Sequence, residues 1–166
     1  MNKKNNNKNN NKKKKKGKKG SKKRKRLPSE LLGLTRVDRM TSGGRRLRFR
    51  AVMAVGDKNG KIGLGVGKAK TVRDAIFKAK RVAKKNMVRI PLTDEKTIKF
   101  PVEGEFNSSH VLLKPKKTGS LVAGGAVRVV CDLLGIERIS AKIISRSRNP
   151  LNVAKATLTG LEKLKL

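Results

Sequence analysis

Hydrophobic and polar residues alternate along two neighbouring stretches in the first half of the chain. From Leu47 onward every second residue is apolar, and arginines fill the first positions between them, which predicts a β-strand with one buried face. Residues 56–60 form a turn sequence, and Ile62, Leu64 and Val66 then resume the period of two, which predicts an antiparallel hairpin. The alternate positions of this second strand are Gly63, Gly65 and Gly67. Glycines inside a strand indicate that a helix or another backbone packs very close to it.

An amphipathic helix is predicted after the hairpin. Thr71 is a suitable N-cap, apolar residues follow it with helical spacing, and the pattern continues to about Asn86. The polar side of this helix is basic, and its cations are either solvated or in contact with phosphate. They are Arg73, Lys78, Lys80, Arg81, Lys84 and Lys85. A short strand at residues 34–39 is predicted before the hairpin, and Pro91 ends the unit.

A second unit of strands and helices begins near Thr97. Period-two alternation predicts strands at residues 98–102, 111–113 and 139–143. A helix is predicted at residues 126–134, with Gly135 at its C-terminal end, and Asn149 and Pro150 are suited to begin a last helix. Its predicted buried residues are Leu151, Ala154, Leu158 and Leu161.

This order of elements predicts an α+β chain with two domains, at residues 27–91 and 97–166. A charged, proline-containing linker, residues 91–96, separates them. Residues 1–26 contain 15 lysines and arginines, no acidic residue and no apolar side chain after Met1, so we predict a disordered basic tail.

Charge indicates the class of partner. The chain has a formal net charge of +34, and the 140 residues after the tail still carry 30 basic and 11 acidic side chains. A charge of this size exceeds the magnitude of about 2–8 that is typical of a soluble small domain. A nucleic-acid backbone supplies the opposite charge densely, so we predict a nucleic-acid-binding protein.

Other function classes lack support in the sequence. No run approaches the roughly 20 apolar residues of a membrane span, and the N-terminus lacks the apolar region of a secretory signal, so we predict an intracellular protein without a membrane partner. The single cysteine, Cys131, cannot form an intramolecular disulfide, and we expect it to fill core space.

Catalytic and metal-binding groups are also not recognisable. The stretch 63–68 departs from the phosphate-loop pattern, because Ile62 stands where that pattern needs glycine and Ala69 where it needs serine or threonine. His110 has no partner with metal-ligand spacing, and a structural or RNA-contacting role is predicted for it. Glu103 and Glu105 are predicted to lie on a solvated strand edge or to pair with lysines. No enzyme, metal site, cofactor or small-molecule substrate is predicted.

Two loops combine cations with small residues and are candidate RNA-binding sites. Glycines let backbone amides approach a phosphate, and arginine grips it with two parallel hydrogen bonds. The first site is Arg36, Arg39, Thr41, Ser42, Gly43, Gly44, Arg45, Arg46, Arg48 and Arg50. The second is Arg146, Ser147, Arg148 and Asn149, which lead into a helix N-terminus. Lys68 is a further candidate RNA-binding residue. Tyrosine and tryptophan are absent, so recognition by RNA shape and backbone is favoured over base stacking.

Five motifs occur in one order between Leu34 and Leu164. In the first half they are Gly44-Arg45-Arg46-x-x-Phe49-x-Ala51, Val55-Gly56-Asp57-x-x-Gly60-x-Ile62-Gly63-x-Gly65-x-Gly67-Lys68-Ala69 and Ala75-Ile76-x-x-Ala79. In the second half they are Gly124-Gly125-Ala126-Val127-Arg128 and Asn149-Pro150-x-Asn152. Together they resemble the signature of the bacterial-type small-subunit ribosomal protein S-five family. The Asn/Lys-rich tail has no counterpart in that signature.

The resemblance implies a double-stranded-RNA-binding-like N-terminal domain, with an antiparallel sheet and a helix, and a C-terminal α/β domain of the family's own type. It implies binding to small-subunit ribosomal RNA, contacts with ribosomal proteins four and eight, a position near the side where messenger RNA enters, and a part in subunit assembly and decoding accuracy. In the family, the loop that matches residues 41–45 lies close to the spectinomycin site. The region around Gly119 and Arg128 faces protein four, so Gly119, Ser120 and Arg128 are candidate protein-interface residues.

Two other functions remain as alternatives to a ribosomal protein: a free regulator that binds double-stranded RNA, and a nucleotide-dependent enzyme. The resemblance favours the ribosomal role over the first, and the failed phosphate-loop pattern argues against the second. The expected location is the cytoplasmic ribosome, with an organellar ribosome as the alternative.

Overall fold

The computed structural model describes residues 27–93 and 95–165. Its N-terminal domain is a four-stranded antiparallel sheet, in the order β1-β2-β3-β4, with one helix packed on it. The elements of this domain are β1 (Ser29–Thr41), β2 (Gly44–Gly56), β3 (Lys61–Ala69), α1 (Val72–Lys85) and β4 (Met87–Arg89). The predicted disordered tail, residues 1–26, lies outside the described residues.

The C-terminal domain is a three-stranded antiparallel sheet, in the order β5-β6-β7, packed against two helices. Its elements are β5 (Val102–Phe106), β6 (Ser109–Pro115), α2 (Gly125–Leu134), β7 (Ile139–Ile143), α3 (Pro150–Glu162) and a 3₁₀ turn at Lys163–Lys165. The predicted two-domain α+β architecture is therefore confirmed.

The glycines of β3 allow α1 to lie directly on the sheet. A Cβ atom at Gly63, Gly65 or Gly67 would come within 2.1–2.4 Å of a backbone oxygen of α1. The helix residues on this contact are alanines, Ala75 and Ala79 among them, which are fully buried. Small side chains on both surfaces thus bring two backbones together, as the glycine pattern predicted.

The opposite face of the sheet is covered by the C-terminal domain. The turn between β2 and β3 donates hydrogen bonds from Lys58 N to Leu133 O and from Gly60 N to Leu134 O, both at 3.0 Å. These two carbonyls belong to the last turn of α2, whose carbonyl groups otherwise lack partners within the helix. Ala54 and Ile62 also join the C-terminal core. The prediction that β2 has one buried face is therefore wrong for its second half, where residues 51–56 are buried on both faces.

Several predicted boundaries need correction. β1 is longer than the strand predicted at residues 34–39, because it pairs along the whole length of β2. β4, which pairs with β3, was not predicted. The strand predicted at residues 98–102 starts only at Val102. Before it, Pro101 lacks a backbone N–H for a sheet hydrogen bond. Thr97, further upstream, is held by its side chain, whose hydroxyl donates to Arg138 O at 2.6 Å.

The helix ends agree with the predicted signals. The Thr71 hydroxyl accepts a hydrogen bond from Asp74 N at the start of α1, and Asn149 Oδ1 accepts one from Leu151 N at the start of α3. Gly135 ends α2 with φ of 89°, a left-handed conformation that favours glycine. The buried stripe of α3 differs from the prediction, because Leu151 and Leu158 are only half-buried. Its buried residues are Val153, Ala154, Ala156, Thr157, Gly160 and Leu161.

Candidate nucleic-acid interface

The hairpin of β1 and β2 extends beyond the rest of the sheet. β3 pairs with β2 only as far as Phe49, opposite Ala69. Beyond that point residues 37–41 of β1 pair with residues 44–48 of β2 as a two-stranded ribbon, about 17 Å long at 3.4 Å per residue. We call these residues the ribbon. They include most of the first candidate RNA-binding site.

Strand register divides the candidate residues between two faces. Residues directly opposite each other in an antiparallel pair project to the same face, and successive residues alternate. Arg39 pairs with Arg46, Val37 with Arg48, and Arg50 with both Thr35 and Lys68. These pairs place five cations on one face, which we call the cationic face: Arg39, Arg46, Arg48, Arg50 and Lys68.

The cationic face borders a groove of about 460 Å³. Its lining residues are Val37, Arg39, Thr41, Arg46, Arg48 and Lys68. Arg50 is the strand partner of Lys68 but does not line the groove, and its Nε atom is buried without a hydrogen-bond partner among the described residues. A buried donor without an acceptor costs stability, and an enclosed atom of this kind is not open to a ligand.

The tip of the ribbon is an open glycine turn. The Thr41 hydroxyl donates a hydrogen bond to Gly44 O at 2.8 Å, which closes the turn across Ser42 and Gly43. Gly44 has φ of 108°, in the region that favours glycine, and a Cβ atom at Gly43 would meet nothing within 4 Å. The backbone at the tip is therefore accessible to a phosphate group.

Two of the predicted arginines lie on the opposite face of the hairpin. Arg36 pairs with Phe49, and Arg45 pairs with Met40. The Nε atom of Arg36 is 3.7 Å from a carboxylate oxygen of Asp38. The structure therefore does not bring all the predicted arginines to one surface.

The second candidate site lies on the same side of the sheet as the cationic face. A Cβ atom at Gly33, which pairs with Val52 on that face, would be 3.7 Å from Pro150 at the start of α3. Arg148 lines an adjacent cavity of about 680 Å³ together with Lys142. Arg146 and Arg148 are exposed, whereas the Asn149 side chain caps α3 and so occupies one of the helix amides.

The candidate protein-interface residues share one surface. Gly119 and Ser120 line a shallow cavity of about 390 Å³ together with Asp132 and Glu137. Arg128 is exposed on α2, one turn before Asp132, and residues four apart lie on the same side of a helix. A hydrogen bond from Lys96 and its positive charge hold the pKa of Glu137 below its usual range.

The groups considered for catalysis are packed against a helix or paired with neighbouring residues. The glycines of residues 63–67 lie under α1, so they form no phosphate-binding loop. The His110 ring is 3.3 Å from Glu105, its cross-strand partner, and the Lys163 ammonium donates to the backbone oxygen of Glu103. No group of three or more potential metal-ligating side chains occurs in residues 27–93 and 95–165. None of the helices in those ranges is long and apolar enough to span a membrane.

Cys131 fills core space, as predicted, and is fully buried in α2. Burial raises the pKa of its thiol from 9.0 to about 12, so at neutral pH the thiolate fraction is about a thousandfold below that of a thiol of ordinary pKa. We expect N-ethylmaleimide to react with the folded chain at pH 8 at least a hundredfold more slowly than with the chain in denaturant, measured by mass spectrometry. Equal rates would show that Cys131 is accessible in the folded protein.

The same pKa shift has a consequence for stability. Above pH 9 the unfolded chain releases the thiol proton, whereas the folded chain retains it until about pH 12. The thiol therefore contributes a loss of stability as the pH rises above 9.

The exposed apolar side of the ribbon was missed by sequence reasoning. Leu47 was predicted to be buried, yet 46% of its surface is exposed, because β3 pairs with β2 only as far as Phe49. Met40, which pairs with Arg45 on the same face, is 68% exposed. Phe77, on α1, is 71% exposed. The alternation of apolar and basic residues showed that two faces exist but not how far the sheet covers them.

Family comparisons match both domains. The family model described as "Ribosomal protein S5, N-terminal domain" matches residues 27–91. The model described as "Ribosomal protein S5, C-terminal domain" matches residues 104–166. The two matches follow each other in the order of the chain and together cover more than three quarters of it.

Proposed function

The chain belongs to the ribosomal protein S5 family, and on that basis we propose that it binds small-subunit ribosomal RNA through the cationic face of the ribbon. Membership of this family gives the chain a structural role in the ribosome. The observation that carries the proposal is the gathering of five cations on one face, next to an open glycine turn. Their guanidinium and ammonium groups grip phosphates, while the turn lets the backbone approach them.

The geometry favours recognition of RNA shape over sequence. The cationic face carries arginines and a lysine but no aromatic ring on which a base could stack. A groove lined by cations along a ribbon follows a phosphate backbone, which has the same charge in every sequence. Arg146 and Arg148, on the same side of the sheet, extend this surface toward α3. We propose that the RNA passes over both sites.

Sedimentation of a cell lysate tests the proposed function. A tagged full-length chain is expected to travel with the small ribosomal subunit in a sucrose gradient and to be released as the salt concentration rises, because phosphate contacts are screened. A chain found only in soluble fractions at low salt would contradict the proposal and favour a free RNA-binding regulator. The same gradients on cytoplasmic and organellar extracts distinguish the proposed cytoplasmic ribosome from an organellar one.

For the protein partners, we propose that the surface around Gly119, Ser120 and Arg128 contacts ribosomal protein four, and that protein eight is a further neighbour. If the Arg128 guanidinium is buried in the interface, Arg128→Ala is expected to cost on the order of 2–5 kcal/mol of binding free energy. This loss is expected to shift the equilibrium between conformations of the small subunit. The frequency of misreading, measured with a stop-codon reporter, is then expected to change. Lys114→Ala removes an exposed cation elsewhere and serves as the control. Fully assembled Arg128→Ala ribosomes with normal misreading would refute the assignment.

We propose that the basic tail adds non-specific electrostatic attraction to this binding. Residues 1–26 contain no acidic residue and no apolar anchor. They therefore raise the association rate and the affinity at low salt, but they do not select the RNA site. Deleting them is expected to lower affinity at low salt and to leave the footprint on the RNA unchanged, measured by chemical probing. A footprint at a different RNA site would show that the tail contributes specificity.

A further inference from the structure

Helix α1 exposes an aromatic ring on the side that faces away from the sheet. Ala75, Ala79 and Ala83 are fully buried on its inner side, whereas 71% of the surface of Phe77 is exposed. At 100° per residue, Phe77 lies about 160° around the helix from Ala79, so its ring projects from the outer side. Neither hydrophobic core of the described residues includes Phe77. The fold therefore gives this ring no packing role.

Basic residues surround this ring. Arg73 and Arg81 are four residues before and after Phe77, and Lys84 is seven residues after it, so all three share its side of the helix. All four side chains are exposed. We call Arg73, Phe77, Arg81 and Lys84 the outer face of α1. It offers a partner a flat apolar ring together with positive charge.

The charge of α1 is not neutralised within the domain. The helix contains six basic residues and one acidic residue, Asp74, which is a net charge of +5. Asp74 serves the N-terminal cap, where its carboxylate accepts a hydrogen bond from the Thr71 hydroxyl at 2.8 Å. No ion pair within residues 27–93 and 95–165 involves a basic residue of α1. The outer face therefore favours a partner that is densely negative.

The outer face of α1 and the cationic face of the ribbon lie on opposite sides of the sheet. α1 packs over Gly67, and the next residue of β3, Lys68, belongs to the cationic face. Successive residues of a strand project to opposite sides of a sheet. A partner of the outer face therefore contacts a different surface from the RNA segment proposed for the ribbon.

We propose that the outer face of α1 binds an unpaired nucleotide of small-subunit ribosomal RNA, whose base stacks on Phe77. Arg73 and Arg81 each lie about 6 Å from Phe77 along the helix axis, one on either side, so they bind the phosphates that flank the stacked base. Aromatic rings among cations are the chemistry that binds single-stranded nucleic acid. This inference rests on the proposed function and deepens it, because it adds a base contact to the phosphate contacts of the cationic face.

The composition of the outer face favours an unpaired nucleotide over a protein or an RNA duplex. The core of a protein interface buries several apolar side chains together, but Phe77 is the one apolar residue of this face. Of its apolar neighbours, Ile76 packs on the core under α1, and Val82 lies about 140° away around the helix. A duplex presents base edges in its grooves, so it offers no base face to the ring.

Substitutions of Phe77 separate stacking from other contacts. The probe is small-subunit particles from cells depleted of this protein, and the protein is the full-length chain. Phe77→Leu keeps an apolar side chain without a ring and is expected to weaken binding about tenfold with an unchanged salt slope, because stacking releases no counterions. Phe77→Tyr keeps the ring and is expected to bind like the parent.

Phe100→Leu is the matched control, because Phe100 is 44% exposed and lies outside α1, and it is expected to bind like the parent. Parent-like binding of Phe77→Leu would overturn the inference. A Phe77→Tyr chain as weak as Phe77→Leu would also overturn it, because the ring would then not be the group that the RNA contacts.

The two arginines are tested by the salt dependence of binding. Alanine at both Arg73 and Arg81 is expected to lower the slope of log affinity against log salt by about 1.4, at about 0.7 for each phosphate contact on a single strand. A folded double variant with the parent's slope would overturn the assignment of phosphates to this face. Circular dichroism shows whether the variant is folded.

Crosslinking identifies the contacted group directly. The photoreactive residue 4-azidophenylalanine in place of Phe77 keeps an aromatic ring at this exposed position. In assembled small subunits it is expected to crosslink to an unpaired nucleotide of small-subunit ribosomal RNA. A crosslink to a ribosomal protein or to a base-paired segment would overturn the inference, and so would the absence of any crosslink.

Failure of this inference is distinguishable from failure of the proposed function. Alanine at Arg39, Arg46 and Arg48 changes the cationic face and leaves the outer face of α1 intact. If that variant binds weakly and Phe77→Leu binds like the parent, the proposed function stands and the inference fails. If the cationic-face variant binds normally, the proposed function itself fails.

Discussion

Replacing Arg39, Arg46 and Arg48 together by alanine is expected to weaken binding by about a hundredfold to a thousandfold. The binding partner is small-subunit particles from cells depleted of this protein. Each arginine is assigned one solvent-exposed phosphate contact, and a net contribution of about 1–1.4 kcal/mol for each hydrogen-bonded contact gives about 3–4 kcal/mol for the three. The variant also loses three counterion-releasing contacts, so the slope of log affinity against log salt is expected to fall by about 2–3. Filter binding of the radiolabelled chain over a range of potassium chloride concentrations measures both quantities.

The control for this experiment removes the same charge elsewhere. Lys61, Lys99 and Lys114 are exposed and lie outside the hairpin, so their triple alanine variant has the same net charge. It is expected to lose affinity only slightly, through the weaker overall field. If both triple variants lose the same affinity and slope, binding depends on total charge alone and the cationic face has no special role.

Gly65→Ala is expected to destabilise the protein by at least about 3 kcal/mol, at the upper end of the usual cost of overpacking. The new Cβ atom would lie 2.2 Å from Ala79 O and 2.4 Å from Ala83 N, both of them backbone atoms of α1. Backbone of a packed helix cannot move aside as a side chain can, so the helix must separate from the sheet. A fall of roughly 10 °C or more in the melting temperature is expected, measured by circular dichroism.

Gly43→Ala is the matched control for this substitution. A Cβ atom there would meet nothing within 4 Å, and the residue has no positive φ. Its melting temperature is expected to stay within about 2 °C of the parent, because exposed substitutions usually change stability by less than 0.5 kcal/mol. Equal stability of the Gly65→Ala and Gly43→Ala chains would contradict the packing described for α1.

Local chemistry made much of this fold predictable from the sequence. The caps at Thr71 and Asn149 and the glycine stop at Gly135 follow from hydrogen bonds within a few residues of each helix end. The glycines of β3 predicted a close backbone contact, and α1 provides it. These features depend little on the distant parts of the chain.

Features set by long-range packing could not be predicted in this way. Leu47 continues the alternation that is buried further along β2, but the sheet narrows to two strands at its position, which only the pairing of β3 reveals. The burial of Ala54 on the other face depends on the C-terminal domain lying across the sheet. That Arg45 and Arg46 lie on opposite faces of the hairpin could be predicted only with the strand register, which the sequence does not contain.

The most direct test of RNA binding by the ribbon is cleavage of the RNA from the ribbon tip. Ser42→Cys places a thiol in the open turn, and an iron chelate attached to it generates hydroxyl radicals that cut only nearby RNA. In assembled small subunits we expect cuts at a few discrete positions of small-subunit ribosomal RNA. The parent chain, whose buried Cys131 does not take up the chelate, is expected to give none. Assembled subunits that contain the labelled chain but show no cuts above this background would contradict RNA binding by the ribbon.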